Sequence, residues 1–595
     1  MLSSKISANG SIKELFIDGE PTVAMAYTTY FEERSCYKDF LDAGYRIFFV
    51  NLSFTTLPIN PDTAFSPFDV GVFEDISNPD YSEFEDAVHK ILHECPDAII
   101  FPRINISMPE WWVNSHPHDT IETKSGRREI MFSEAFRHDG GELLKSVINH
   151  IKTSDYAERI CGWMLCGGST QEWIYRHYIG DLCEYASDQY KLWVKENFGD
   201  NNAELPKKED YISDESVFQT SDNARRYSLF CNSEMAKTID HFAKITKDAT
   251  DHSQVVGTFY GYTFEEFQAN FGSYALREII DSPNLDFFSS PNSYAYSRAF
   301  GIDWADMMPV DSIKLHGKLA FIECDVRTYL TVGVQKARPG RYPDDIYTTN
   351  GVSVWVGPPT VELSKYALRK SFAHQITKGS AIWWFDMWGG WYHDPTLMDE
   401  LKLMKKIYHN DKSKQRCEPT AEVVFFADEQ SYANRLYPSS RAKTTLKATR
   451  VAMSKAGAPF DSYMVEDADK ILHKYKVAVF PFWVPSKTAD AAMKLCEKIG
   501  IPYIAATPEC TALNESEIRE FYKRNGVHIY VENDGVLYAG NGYIAFHSTT
   551  EGKKVISLPK EFNVEAIFGA ECSAKETEII EFYLKENDTA LFTVS

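Results

Sequence analysis

The sequence lacks the cysteine and histidine patterns that mark bound metals and disulfide-stapled folds. Its eleven cysteines are an odd number, widely spread and without a CxxC pair, and the sixteen histidines contain no HExxH motif. Cysteines scattered through apolar stretches are typical of packed thiols in a reducing compartment. We therefore expect a cytoplasmic protein without a metal site, and a signal peptide removed earlier stays an alternative.

Nucleotide-binding loops and long apolar runs are also absent. Neither GxGxxG nor GxxxxGK[ST] occurs, and no run approaches the length of a membrane span. Basic residues are in short supply, with 62 Lys and Arg against 85 Asp and Glu, for a formal charge of −23. Such a surface repels phosphate backbones and anionic lipids. Nucleic acid and membranes are therefore not expected partners, and no cofactor is expected.

What the chain does have is a long alternation of strand-like and helix-like segments. At 595 residues it exceeds one core, which predicts two or three domains. From residue 22 to about 410, short apolar runs alternate with amphipathic ones, as in parallel β/α folds. The eight predicted strands are Thr22–Thr28, Tyr45–Asn51, Ala98–Ile104, Ile160–Leu165, Val255–Tyr260, Phe287–Ser290, Leu319–Glu323 and Ala381–Phe385. Residues 1–410 are thus predicted to form a (β/α)8 TIM barrel with an N-terminal extension.

Two smaller domains are predicted after the barrel. The polar segment 409–419 has the composition of a linker. Strand-like runs EVVFF, VAVFPF and PYIAAT alternate with helical patterns over 420–525, which predicts a flavodoxin-like α/β domain, with oligomerisation as its expected role. Residues 526–595 contain VHIYV, VLYA and YIAFH between turn signals, which predicts a small antiparallel β domain.

Two glutamates stand where predicted barrel strands leave the core. Glu172 follows the fourth strand, and Glu323 ends the seventh. Because the carboxyl ends of parallel barrel strands open on one face, we expect the two carboxylates to converge there. Two converging carboxylates suit glycoside hydrolysis, one as proton donor and one as nucleophile. The alternative is that each is a strand-end residue paired with an arginine such as Arg103 or Arg327.

Four segments carry a specific resemblance: FPRINISMPEWW, GWMLCGGSTQEW, residues 307–330 and AIWWFDMWGGWYHDP. Together they resemble a clan A glycoside hydrolase close to the family 42 β-galactosidases, and the order of the three predicted domains matches that family. The resemblance implies a retaining β-glycosidase, with Glu172 as acid/base and Glu323 as nucleophile. It also implies a homotrimer. Two features depart from the family: Gln171 stands where Asn is usual, and the zinc-binding cysteine cluster has no counterpart.

Several neighbours are expected to serve the two glutamates. Arg103, at the end of the third strand, is expected to keep Glu323 ionised through charge-assisted hydrogen bonds. Trp163 and Trp173 are expected to form an apolar wall that raises the pKa of Glu172. Asp325, two residues beyond Glu323, would share its face and is the rival nucleophile.

Substrate contacts are expected from a further set of strand-end residues. Gln171 can hydrogen-bond a sugar hydroxyl through its amide, and Tyr260 and Tyr294 are candidate donors. Arg327 belongs to the same substrate-binding set. Of the adjacent tryptophans that end the eighth strand, Trp384 is predicted to be the platform on which a sugar ring stacks.

The sequence thus predicts a retaining exo-β-glycosidase acting on an oligosaccharide or glycoside, with galactose the favoured terminal sugar. Two alternatives remain open. One is a β-mannosidase or another β-hexosidase of the same clan, and the other is a carbohydrate-binding pseudoenzyme without productive carboxylate geometry.

Overall fold

The computed structural model describes the chain except for residues 10–11, 61, 177–181, 208–209, 211–220, 266–269, 343–354, 410–417, 419, 435–439, 483, 507–513 and 533–534. Most of the predicted linker 409–419 therefore lies outside the described residues. Within the described part, four larger sheets follow one another along the chain: a three-stranded N-terminal sheet, a closed barrel, a four-stranded parallel sheet and a five-stranded antiparallel sheet.

The first thirteen strands form the N-terminal sheet, the barrel and a separate two-stranded hairpin. They are β1 Ser4–Asn9, β2 Ile12–Ile17, β3 Glu20–Thr22, β4 Met25–Thr29, β5 Ile47–Ser53, β6 Ile99–Ile106, the hairpin β7 Thr120–Thr123 and β8 Gly126–Glu129, β9 Gly162–Gly167, β10 Val255–Phe259, β11 Phe287–Ser289, β12 Leu319–Cys324 and β13 Ala381–Asp386. The barrel closes in the order β4-β5-β6-β9-β10-β11-β12-β13. All eight barrel strands run parallel, which confirms the predicted TIM barrel.

Helices cover the outside of the barrel. They are α1 Tyr37–Asp42, α2 Ser82–Glu94, α3 Glu110–Ser115, α4 Glu134–Thr153, α5 Glu184–Phe198, α6 Asp222–Ala249, α7 Leu276–Ile279, α8 Val310–Leu315, α9 Val334–Ala337, α10 Val361–Lys378 and α11 Pro395–His409. The hydroxyls of Ser133, Ser221 and Thr360 accept backbone N–H groups at the starts of α4, α6 and α10, which fixes where these helices begin. Because helices cover one face of each strand and side chains fill the barrel from the other, the strands read as continuous apolar runs.

The parallel sheet after the barrel has the strand order β15-β14-β16-β17. Its strands are β14 Val423–Ala427, β15 Phe460–Met464, β16 Val477–Phe480 and β17 Tyr503–Ala505, and its helices are α12 Glu429–Ala433, α13 Ser440–Lys455, α14 Ala468–Ile471, α15 Lys487–Ile499 and α16 Glu515–Arg524. An order of 2-1-3-4 is that of a flavodoxin-like fold. β15 is the strand without a sequence prediction, since FDSYM is an edge strand in which polar and apolar residues mix.

The C-terminal sheet is antiparallel, with the order β18-β19-β22-β20-β21. Its strands are β18 Val536–Gly540, β19 Tyr543–His547, β20 Gly552–Phe568, β21 Ser573–Leu584 and β22 Thr589–Val594. The strand predicted for VHIYV is wrong: 527–531 is irregular. Its apolar residues serve two cores instead of one sheet, because Val527 packs in the α/β domain while Tyr530 and Val531 pack in the C-terminal one. No helix in the described residues is long and apolar enough to span a membrane.

Candidate active site

Glu323 lies inside the barrel, near the carboxyl end of β12. It is paired in register with Trp383 on β13, so both side chains point to the same face of the wall, and Glu323 is only 3% exposed. Burial raises the pKa of Glu323 well above its usual value. The charges of Asp325 and Glu172 raise it further, while Arg103 opposes them. Because the charge of Glu172 acts on Glu323, the two glutamates lie near each other, as the sequence led us to expect.

Asp325, the rival nucleophile, is held by three neighbours. Nη1 of Arg298 donates to its Oδ1 at 2.5 Å, and Nη1 of Arg327 donates to its Oδ2. The hydroxyl of Tyr294 also donates to Oδ2, at 3.1 Å. Among the described residues, no comparable hydrogen bond reaches the carboxylate of Glu323. A carboxylate with both oxygens engaged by the protein is a poor nucleophile, so this arrangement favours Glu323 over Asp325 for that role.

Glu172 stands on a tight loop that follows β9. The loop folds back on itself: Trp173 N donates to Gly167 O at 2.8 Å, and Ser169 N donates to Ile174 O at 2.8 Å. Three of its residues have left-handed backbones, with φ of 55° at Thr170, 68° at Gln171 and 52° at Trp173. Non-glycine residues in this region cost about 1–3 kcal/mol each and concentrate at functional sites.

Trp173 anchors this loop from behind. Its indole is fully buried, donates to Leu165 O at 3.1 Å and stacks beside Phe242 of α6. A Cβ on Gly167 would lie 2.7 Å from the Trp173 ring, so only glycine fits there without displacing the ring. The expected apolar wall of Trp163 and Trp173 needs correction, since the indole of Trp163 donates to Gln254, the residue before β10, at the opposite end of the barrel.

The surroundings of Glu172 favour its protonated form. Burial raises its pKa from 4.5 to about 7. The hydroxyl of Thr170 donates to Glu172 at 2.7 Å and opposes this rise, as do the nearby hydroxyl of Tyr262 and the charge of Arg103, whereas the charge of Asp325 adds to it. Tyr262 has no counterpart among the sequence predictions. Its hydroxyl also interacts electrostatically with Glu323, so it lies near both glutamates.

Arg103 extends from β6 into the same cluster and is 1% exposed. Its Nη1 donates to Oδ1 of Asn51 at 3.1 Å. Among the described residues, no hydrogen bond joins Arg103 to Glu323, so the expected charge-assisted bond is not formed. The positive charge of Arg103 still lowers the pKa of Glu323, although burial and Asp325 raise it by more. The guanidinium lies 5.3–5.5 Å from the ring centres of Tyr30, Phe259, Trp383 and Phe385. Aromatic faces surround the cation without supplying a carboxylate, which leaves its charge to act on Glu323.

Gln171 shares the loop with Glu172 and is fully buried. Neither its amide oxygen nor its amide nitrogen has a hydrogen-bond partner. A buried amide in that state is costly, by about 1–3 kcal/mol per unsatisfied group, and a ligand that bonded it would remove the cost. Tyr294 and Arg327 also join the cluster, through their shared hydrogen bonds to Asp325.

Two predicted substrate contacts are not brought to the cluster. The hydroxyl of Tyr260 donates to Gly272 O at 2.8 Å and accepts from Ala275 N at 3.1 Å. Its hydrogen bonds are therefore made within the protein. Trp384 points out of the barrel, where its indole donates to the hydroxyl of Tyr45 at 3.0 Å. Since side chains alternate along a strand, it is Trp383 that faces inward beside Arg103.

The α/β domain helps to shape this site. Glu429 at the start of α12 is buried, and its carboxylate accepts from the backbone N–H groups of Leu276 and Arg277 and from the hydroxyl of Thr263, each at 3.1 Å. Thr263 directly follows Tyr262. The second domain therefore holds the segment that carries Tyr262 toward Glu172. The sequence analysis did not predict this role.

Metal-ligand atoms come together at a different place. Cys36, Asp39 and His393 bring three such atoms within 4.8 Å of one another. Cys36 contacts Asp386, at the end of β13, and the side chain of His393 is largely exposed. Neither Glu172 nor Glu323 belongs to this group.

Comparison with known proteins recovers the fold. No family model matches the chain, and no curated protein matches it. Solved structures do match. A β-galactosidase from Bacillus circulans sp. alkalophilus has a TM-score of 0.63 at 11% identity, covering 96% of this chain and 99% of its own. A family 42 β-galactosidase from G. stearothermophilus has a TM-score of 0.62 at 9% identity, covering 96% and 98%.

A third similar structure is a family 42 exo-carrageenase from Bacteroides ovatus, with a TM-score of 0.60 at 13% identity, covering 99% of this chain and 84% of its own. An α-L-fucosidase from Paenibacillus thiaminolyticus shares the fold at a TM-score of 0.55. The chain thus has the three-part fold of family 42 β-galactosidases over nearly its whole length, as the sequence resemblance suggested.

Proposed function

We propose that this chain, which has the fold of the family 42 β-galactosidases, is a retaining exo-β-glycosidase that hydrolyses a terminal β-linked hexose, with galactose favoured. The observation that carries the proposal is the pair formed by Glu172 and Glu323 at the carboxyl end of the barrel strands. Burial raises the pKa of both, to about 7 for Glu172, and the charge of Glu172 adds to the rise at Glu323. Paired carboxylates with distinct surroundings are typical of glycosidase acid and nucleophile roles.

In this mechanism Glu323 attacks the anomeric carbon while Glu172 donates its proton to the departing oxygen. The bond from the anomeric carbon to that oxygen breaks, and a covalent glycosyl-enzyme forms on Glu323. Glu172, now a carboxylate, then takes a proton from water, whose oxygen displaces Glu323. Because each negative charge raises the pKa of the other carboxyl, the pair favours the state that holds one proton. Burial raises the pKa of both carboxyls, and the charge of Arg103 lowers both. In the proposed mechanism the single proton of the pair is on Glu172.

Binding of the sugar is assigned to groups that the protein leaves without partners. The orphaned amide of Gln171 is proposed to bond a sugar hydroxyl beside the scissile bond. Tyr262 is proposed to position the carboxyl of Glu172, since its hydroxyl interacts with both glutamates.

Turnover of a panel of 4-nitrophenyl β-glycosides tests the proposal. We expect hydrolysis of the β-galactoside by the wild type and its loss in Glu323→Ala. Faster turnover of the β-mannoside would favour the alternative hexosidase. Binding of these sugars in calorimetry without turnover of any would favour the pseudoenzyme.

Assembly as a homotrimer is a second part of the proposal and rests on the family resemblance. Light scattering tests it, with three times the chain mass of 67.9 kDa as the expected result. A monomer with full activity at micromolar concentration would contradict a role for assembly.

A further inference from the structure

Two arginines donate hydrogen bonds to Asp325, but only Arg298 has a partner for each of its three nitrogens. Arg298 donates from all three nitrogens, with Nη1 on Asp325, Nη2 on Asn292 O at 2.6 Å and Nε on Ser293 O at 3.2 Å. Arg327 donates only from Nη1, to Asp325. Its Nε and Nη2 are buried and have no hydrogen-bond partner. In the part of the chain that the structure describes, no other arginine leaves both of these donors buried and unpartnered.

Nε and Nη2 lie on the same edge of a guanidinium and together form a two-pronged donor. Elsewhere this chain uses that edge to hold carboxylates. Nε and Nη2 of Arg338 bind both oxygens of Glu33 at 2.7 and 2.9 Å, and those of Arg369 bind both oxygens of Glu400 at 3.0 and 2.9 Å. The fork of Arg327 therefore has the geometry for an oxyanion but lacks one.

The surroundings hold this fork in place. The guanidinium carbon of Arg327 lies 5.0 Å from the ring centres of both Trp355 and Trp391. Trp391 is fixed by its backbone N–H, which donates to Asp386 at 2.9 Å. Trp355 is only partly buried. Burying two charged donors without partners is costly unless a ligand completes them.

The balance of arginines and carboxylates in the site also favours an anionic ligand. In the proposed mechanism Glu172 holds the proton that it donates, and Glu323 attacks as a carboxylate. Three arginines, 103, 298 and 327, then lie beside the two carboxylates of Glu323 and Asp325, so one guanidinium lacks a carboxylate of its own in a pocket where buried charges are normally paired. An anionic substituent on the sugar would balance it.

We propose that Nε and Nη2 of Arg327 bind an oxyanion carried by the sugar, a carboxylate or a sulfate ester, so that the preferred substrate is an anionic β-hexoside. This inference rests on the proposed function and narrows its substrate class. The oxyanion is held by the arginine that binds Asp325, while Glu323 and Glu172 act at the anomeric carbon.

Matched substrates test the inference: 4-nitrophenyl β-D-galactopyranoside, the corresponding β-D-galactopyranosiduronic acid, and the galactoside carrying a 6-sulfate. We expect the wild type to prefer at least one anionic substrate by about tenfold or more in kcat/KM, the size of one charge-assisted hydrogen bond. Arg327→Lys keeps a positive charge beside Asp325 but loses the paired donors Nε and Nη2. It should abolish most of the preference for the anionic substrate. The uronate and the sulfate arms identify which oxyanion binds.

Arg338→Lys is the matched control, because its fork is already filled by Glu33. It should leave the ratio of anionic to neutral turnover unchanged. Equal losses on neutral and anionic substrates in Arg327→Lys, or hydrolysis of the neutral galactoside in preference to both anionic ones by the wild type, would overturn the inference and leave the proposed function standing.

Calorimetry of the wild type with free galacturonic acid, galactose 6-sulfate and galactose separates the two proposals and needs no variant. Tighter binding of either anionic sugar supports the inference even if no glycoside is hydrolysed. Equal binding of all three overturns it, whatever the turnover assay shows.

Discussion

Glu323 ends a regular barrel strand, whereas Glu172 stands on a strained loop beyond one. The backbone of Glu323 is fixed by the ladder between β12 and β13 and by its N–H bond to Ser290 O at 3.0 Å. The backbone around Glu172 has left-handed residues at 170, 171 and 173. Its position depends on the buried ring of Trp173 behind Gly167.

The two positions give the carboxylates different neighbours. Inside the barrel, burial and Asp325 raise the pKa of Glu323, and the nearby Arg103 opposes them. A loop at the rim brings Glu172 among hydroxyls and apolar surface, and burial favours its neutral form. The pKa of Glu172 should therefore depend more strongly on its neighbours than that of Glu323.

The largest expected effect is at the strand end. Glu323→Ala should lower turnover of all β-glycosides by roughly 10⁴-fold or more, as removal of a covalent nucleophile does in other enzymes. Azide should restore part of the rate and give an α-glycosyl azide, because a small anion then attacks from the emptied face. Asp325→Ala is the matched comparison. If azide rescues that variant and not Glu323→Ala, the assignment of the nucleophile is wrong.

Removal of the loop carboxylate should be more selective. Glu172→Ala should slow alkyl glycosides by about 100-fold or more, since a positioned general acid contributes on that scale. 2,4-Dinitrophenyl glycosides, whose leaving group needs no proton, should be affected far less in glycosyl transfer. Steady-state and burst kinetics on both substrates provide the measurement, and equal losses on both would remove the acid role.

A third variant tests the anchor of the loop. Gly167→Ala should push the Trp173 ring and destabilise the fold by about 1–3 kcal/mol, as overpacking does. It should also lower kcat, because the Glu172 loop shifts with the ring. Gly257→Ala is the control: its Cβ would lie 2.2 Å from the Phe287 ring within the barrel, so it should cost stability without the same loss of kcat. Urea unfolding and kcat measured below the transition separate the two, and equal effects on kcat would contradict the anchor role.

The smallest expected effect is a shift in the pH profile. Catalysis requires protonated Glu172, so kcat/KM should fall as the pH rises through about 7. The Thr170 hydroxyl stabilises the ionised form and lowers the pKa of Glu172, so Thr170→Val should raise that pKa and move the alkaline limb to higher pH. Thr170→Ser keeps the hydroxyl and should leave the limb in place. A downward shift in Thr170→Val would contradict this account.

The two carboxylates also differ in how far the sequence predicted them. Continuous apolar runs mark the eight barrel strands, and an acidic residue at the end of such a run led directly to Glu323. Glu172 was found in the same way. The strain of its loop was not, since Thr, Gln and Trp are not residues that signal a left-handed backbone.

Contacts between distant segments explain the remaining errors. Trp383 and Trp384 are adjacent, and only the register with β12 decides that Trp383 faces inward. Tyr262 was missed in favour of Tyr260 because its place is set by Glu429 of the next domain, which holds Thr263 and Leu276. Neither the register nor the docking leaves a local pattern in the sequence.

The most direct test of the central claim, that Glu172 and Glu323 form the acid and nucleophile of a retaining pair, is the anomeric form of the first product. Proton NMR of the wild type hydrolysing an aryl β-hexoside, recorded before mutarotation, reports it. The account predicts that the β-anomer appears first, because two displacements at the anomeric carbon restore its configuration. Initial release of the α-anomer would show a single displacement by water and would contradict the nucleophilic role of Glu323.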